Sequence, residues 1–152
     1  VFRRAVEEGL IDGSRTVQIG IRKHYHKGEI EFLRTHGFEL VTARDLRAMG
    51  ADVRTRLAER LARIEGHKVY VTYDIDFVDA ACAPGVGSPE PFGPDSFAAV
   101  EALRAVRALG PDIVGFDLVE VSPLHDVANL TTYLGAQLIF EMACLLPPTI
   151  RR

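Results

Sequence analysis

Four short β-prone runs, separated by stretches with helical spacing, constrain the fold of this chain more than any other feature. The runs are residues 16–21, 38–41, 68–73 and 112–121. Between them, Phe2, Val6 and Leu10 recur on one side of residues 1–10, and residues 29–36 read as a helix closed by Gly37. A helical stretch begins at Thr42 or Ala43. A longer one over 52–64 carries Val53, Leu57, Leu61 and Ile64 in one stripe. Asp95 or Ser96 caps a helix through Phe97, Val100, Leu103, Val106 and Leu109, and a last helix over 131–146 stops at Pro147-Pro148. Strands alternating with helices predict βαβ units, and therefore a mostly parallel sheet covered on both faces. Four strands make a small sheet, which is expected to continue in sequence outside this chain.

Composition removes several function classes. The chain has 152 residues, 47% of them hydrophobic, enough for one ordinary domain core. Its 18 basic and 21 acidic residues give a net charge of −3, which is no electrostatic footprint for nucleic acid. The arginines of residues 52–64 alternate with acids, as on a solvated helix face. No apolar run approaches the ~20 residues that span a bilayer, so no membrane partner is expected. The first residues show no signal-peptide core, and Cys82 and Cys144 lack metal or redox spacing. The expectation is a cytoplasmic protein with reduced cysteines.

In open α/β sheets, ligands bind beyond the carboxyl ends of the strands. Both of the strongest strands end in acid. One delivers Asp74 and Asp76; the other delivers Asp117 and Glu120. Asp74 and Asp76 have the period-2 spacing that turns two side chains to one side of an extended backbone. Two carboxylates so close repel unless a cation separates them, and hard oxygen ligands suit Mn²⁺ or Mg²⁺. The alternative is one acid capping a loop while the other is solvated. Residues 77–94, rich in Pro and Gly, form a loop longer than the ~12–15 residues usual for a connection, which points to function. Glu120 closes an apolar strand, where a lone carboxylate needs a partner. That partner is either a bound guanidinium, held by paired hydrogen bonds, or one of the chain's own arginines. A regular strand turns Asp117 away from Asp74-type positions, toward a structural role. His24 and His26 sit among Arg22, Lys23 and Lys27, a poor setting for a cation, and read as surface histidines. His125 is a weaker candidate for lining a pocket.

These residues carry a resemblance. Tyr73-Asp74-Ile75-Asp76-Phe77-Val78-Asp79, followed by Ala83-Pro84-Gly85-Val86-Gly87-Ser88-Pro89-Glu90-Pro91, resembles the ureohydrolase signature S-x-D-x-D-x-x-D-P-x-x-x-P-G-x-G-x-P-x-P-G-G. The strings Val17-Gln18-Ile19-Gly20-Ile21-Arg22 and Gly115-Phe116-Asp117-Leu118-Val119-Glu120-Val121-Ser122-Pro123 look like the agmatinase branch of the arginase/agmatinase family. The chain departs from the signature at Asp79-Ala80 and at Pro91-Phe92-Gly93. The resemblance implies a three-layer α/β/α, arginase-like fold, with residues 1–152 as the carboxy-terminal portion of a single domain. It implies a binuclear manganese site with Asp74 bridging the ions and Asp76 binding one of them, while Glu120 holds the substrate guanidinium. The implied reaction is hydrolysis of a guanidino compound such as agmatine to urea and an amine, by attack of a metal-bridging hydroxide. A homo-oligomer, trimeric or hexameric, is implied as well. The family's G-G-D-H and D-A-H-x-D ligand motifs do not occur in these residues. The alternative is therefore a non-catalytic α/β module lacking those ligands.

Overall fold

The computed structural model describes residues 1–22 and 26–146. In chain order the elements are α1 (Phe2–Glu7), β1 (Val17–Ile21), α2 (Lys27–Thr35), β2 (Glu39–Thr42), α3 (Ala43–Met49), α4 (Val53–Leu61), β3 (Lys68–Asp74), α5 (Ser96–Ala108), β4 (Asp112–Val119) and α6 (Leu130–Ala143). Every expected element is present in the expected order. The boundaries follow from local chemistry. Thr42 caps α3, with the Asp45 N–H donating to Thr42 Oγ1 and the Thr42 N–H donating to the Asp45 carboxylate. Asp95 caps α5 by accepting from the Ala98 N–H at 2.8 Å. Strand β4 stops at Val119, two residues short of the expected end, because Glu120 turns into the left-handed region at φ 68°. The proline stop after α6, and His24, lie outside the described residues.

Among the described residues the pairing between strands is parallel, as expected, and comes as two pairs: β1 with β2, and β3 with β4. Between the pairs, side chains replace the hydrogen-bond ladder. Val17 and Ile19 of β1 pack against the same core as Val69 and Val71 of β3. Beyond them, Gly20 lies so close to the Phe77 ring that a Cβ there would be 2.0 Å from it.

The core has two connected parts. One gathers Val41, Leu46, Met49, Val53, Leu57, Leu61 and Ile64 beneath Ala105, Val106 and Ile113. The other gathers Tyr73, Ile75, Val78, Ala83, Val86, Leu138 and Met142. Helix α5 joins them, giving Ala105 and Val106 to the first and Ala99 and Leu103 to the second. Strand β3 alternates strictly: Tyr73 is buried, with Val69 and Val71 half-buried, on the covered face, while Tyr70 and Thr72 point outward. That outer face is open, with Tyr70 59% and Val114 57% exposed. Parallel sheets ordinarily bury both faces.

Leu57 is fully buried at the centre of the first core. Leu57→Ala is expected to lower unfolding stability by about 3 kcal/mol, read from urea denaturation midpoints. A loss below ~1 kcal/mol would contradict this placement of the core.

Candidate metal centre

Asp74 is the last residue of β3, and a single helical turn over Ile75–Phe77 follows it. Ile75, fully buried, anchors that turn in the core, and Asp74 and Asp76 flank it. Asp74 Oδ1 accepts from the Asp76 N–H at 3.1 Å. The capping role considered as the alternative for one of the acids is therefore present: Asp74 caps the turn, and Asp76 is half-buried. Strand β4 runs parallel beside β3 with Val119 opposite Asp74, so Glu120 emerges next to the doublet. Glu120 is exposed, in a backbone conformation rare for a non-glycine residue. Its Oε2 lies 4.0 Å from where Gly87 would carry a Cβ. Among the described residues Glu120 makes no ion pair, so the internal-arginine alternative is not realised there.

The electrostatics record this convergence. Burial pushes the Asp74 carboxyl up to about 6; the Asp76 N–H pulls the other way, and the charges of Asp76 and Glu120 add to the rise. Acidic oxygens gathered closely enough to raise the proton affinity of Asp74 are a donor set suited to a hard divalent cation. The donors present fit manganese as part of a site. Among the described residues, no group of three or more His, Cys, Asp or Glu side chains is placed to hold a metal. Two shallow grooves lie elsewhere, one against Arg54 and Ala58, the other at Gly66 and Gly110 by the opposite ends of β3 and β4.

The Pro/Gly loop is stapled rather than free. The Asp79 carboxylate accepts from the N–H groups of Ala81 and Gly93, and the Asp79 N–H donates to the Pro94 carbonyl, closing the loop at its base. The Ser122 N–H donates to the Gly85 carbonyl at 2.8 Å, and Val86 bridges Val121. The Gly85 N–H donates to the buried Thr131 Oγ1 at 2.7 Å. A Cβ on Gly85 would sit 2.7 Å from the Asp126 side chain, so glycine is required there. Asp126 in turn accepts from the N–H groups of Val127, Thr131 and Thr132 and from Thr132 Oγ1. Desolvation opposes its charge, but the Thr131 and Thr132 donors prevail and hold its carboxyl well below the usual range. The loop, the Glu120 segment and the start of α6 thus form one hydrogen-bonded unit.

One expectation is corrected. Asp117 does not face away from Asp74. Its carboxylate accepts from Tyr70 Oη and Thr72 Oγ1, both at 2.8 Å, on the face that carries Asp74. The cause is a bulge. The pairing passes from Val69–Ile113 to Tyr70–Gly115, leaving Val114 as an extra residue and setting Thr72 opposite Asp117. A structural role for Asp117 as a tie between β3 and β4 agrees with these bonds. His26 caps α2 in partnership with Glu29, and exposed His125 pairs with Ser122 Oγ at 2.8 Å. Asp126, Thr131 and Arg22, which donates to the Asp76 and Phe77 carbonyls, are site-building residues that sequence reading did not single out. Asp126 was findable as the acid ahead of a helix; the others have no local signal.

Two outcomes follow from this geometry. In the folded chain the Asp126 carboxyl titrates below its ordinary value of 3.8, so its stabilisation is full above that pH and is lost as pH falls through the folded value. Wild type is therefore expected to lose stability more steeply than Asp126→Asn between about pH 4 and 2; equal slopes in denaturant titrations would contradict the shift. Phe92, 76% exposed at φ 68°, occupies a backbone state natural to glycine. Phe92→Gly is expected to stabilise by about 0.5–1 kcal/mol despite the greater freedom of unfolded glycine, and a destabilisation would contradict the strain.

Comparisons with known proteins bear on the family and the fold. Residues 1–144 match the model of the Arginase family. The chain is 42% identical to the guanidinobutyrase of Pseudomonas aeruginosa, over 99% of this chain and 46% of that protein. It is 42% identical to the mitochondrial agmatinase of Gallus gallus, over 96% of this chain and 42% of that protein. It superposes on the proclavaminate amidino hydrolase structure from Streptomyces clavuligerus with a TM-score of 0.84 at 38% identity, covering 95% of this chain and 47% of that one. The chain spans about half the length of the curated relatives it matches, and the shared α/β fold is correspondingly partial. On the match over residues 1–144, the chain belongs to the arginase family.

Proposed function

We propose that this chain is the carboxy-terminal portion of a manganese-dependent amidinohydrolase that cleaves a guanidino compound, such as agmatine, to urea and an amine. The observation that carries the reading is the convergence of Asp74, Asp76 and Glu120 beyond the ends of two paired parallel strands. Asp74 and Asp76 would hold the metal. When bound, manganese would supply Lewis acidity and lower the pKa of water at the site. Glu120 would accept two parallel N–H bonds from the substrate guanidinium, keep it cationic and aim its carbon at the metal-facing side. The left-handed backbone at Glu120 and the absence of a Cβ at Gly87 leave its carboxylate accessible for that pairing. No residue of this chain is assigned the chemical step itself. The open outer face of β3 and β4 supports a larger fold, since such a face is normally covered.

A non-catalytic module remains the second reading, favoured by the lack of a three-ligand cluster among the described residues. The coding sequence upstream decides between them. G-G-D-H and D-A-H-x-D motifs there support the enzyme; a stop codon without them removes it for this chain. In the full-length protein, Asp76→Ala is expected to lose bound manganese and urea release together. Glu120→Gln is expected to keep its metal while turnover falls on the order of 100-fold. Metal content unchanged in Asp76→Ala would overturn the ligand role, and full urea release by Glu120→Gln would overturn the guanidinium role.

A further inference from the structure

Arg22, directly after β1, is the charged residue beside the carboxylates for which the proposed chemistry has no use. Its side chain is only 11% exposed. A guanidinium so enclosed must spend its donors on fixed acceptors. Nη1 donates to the Phe77 carbonyl at 2.6 Å, Nη2 donates to the Asp76 carbonyl, and Nε lies 3.7 Å from Glu90 Oε2. One side chain therefore joins the end of β1, the turn that carries Asp76, and the Pro/Gly loop. Two glycines make the room. A Cβ at Gly93 would be 2.3 Å from Arg22 Nη1, and Gly20, at φ 80°, lets the Phe77 ring lie against β1.

The sheet makes this junction consequential. Among the described residues β1 and β3 share no ladder, and the guanidinium fork is a direct polar tie between the end of β1 and the Asp76 turn. It is planar with fixed donor spacing, and two successive carbonyls engaged by it define both the position and the tilt of the turn. Glu90 balances its charge. The fork grips the turn by its main chain, so the Asp76 carboxylate is oriented without being consumed.

We propose that Arg22 is a positioning residue for Asp76, a clamp that fixes the ligand-bearing turn to β1 through two main-chain carbonyls. Its functional consequence rests on the reading of Asp76 as a metal ligand; the clamp itself does not. A lysine would keep the charge but cannot span both carbonyls, so the conservative variant separates the two roles. The experiment is NMR of the isotope-labelled full-length protein, prepared without metal, wild type against Arg22→Lys. The carbonyl ¹³C resonances of Asp76 and Phe77 are expected to move. The Val78 amide, which donates to the Ile75 carbonyl, is expected to exchange about ten-fold faster, while Leu57 and Ile113 stay unchanged. Broadening of the Asp76 amide by Mn²⁺ is expected to need about ten-fold more metal. Carbonyl shifts and Val78 exchange equal to wild type would overturn the clamp. Should Arg22→Lys not fold, the wild type decides: slow rotation that resolves the individual Arg22 Nη protons is expected, and a freely rotating guanidinium would overturn the proposal. Carbonyls that respond while Mn²⁺ broadens nothing at Asp76 even in wild type would sink the ligand reading and leave the clamp standing.

Discussion

In the parallel pairing of β3 with β4, Asp74 stands opposite Val119, and the carboxylate cluster follows from that register. Parallel strands deliver their carboxyl ends to the same edge of the sheet, so the residues just past them become neighbours. A shift of one residue would move Asp74 out of line with Glu120 and turn alternate side chains to the other face. The register has visible ties. Asp117 accepts from both Tyr70 and Thr72, and the bulge at Val114 lets the Tyr70 ring pass over Gly115, where a Cβ would be 2.9 Å away. Buried Tyr73 and Ile75 hold the end of β3 in the core while the acids stay outside it.

Holding several carboxylates together costs free energy, and the surroundings supply the restraint. Asp74 is pushed up to about 6 by burial, with Asp76 and Glu120 adding to the rise. Around this cluster the structure is tied by main-chain groups rather than by opposing charges on the carboxylates themselves. Thr131 and Asp126 hold the loop and the start of α6, Asp79 closes the loop's base, and Arg22 grips the turn by its carbonyls. Such an arrangement preorganises acidic oxygens without neutralising them, which is the condition a cation site needs.

Much of this was legible in the sequence, for identifiable reasons. The helices and strands follow hydrophobic period and cap chemistry, so Thr42 and Asp95 mark their helix starts from local signals alone. That Asp74, Asp76 and Glu120 emerge side by side past the ends of β3 and β4 was legible from the strand pattern alone. The division into two strand pairs was not, because which strands share a ladder is a tertiary fact that alternation cannot encode. The orientation of Asp117 was misread for a related reason: a single extra residue, Val114, reverses every side chain after it. Arg22 and Thr131 act across distances of many residues on main-chain partners, and nothing in their immediate neighbours announces that.

The most direct test of the metal-centre account is anomalous scattering at the manganese edge from crystals of the full-length protein grown with Mn²⁺. The account predicts anomalous peaks within coordination distance of the Asp74 and Asp76 carboxylates, on the side toward Glu120. Peaks confined to other parts of the molecule, or none at these residues in well-ordered crystals, would contradict it.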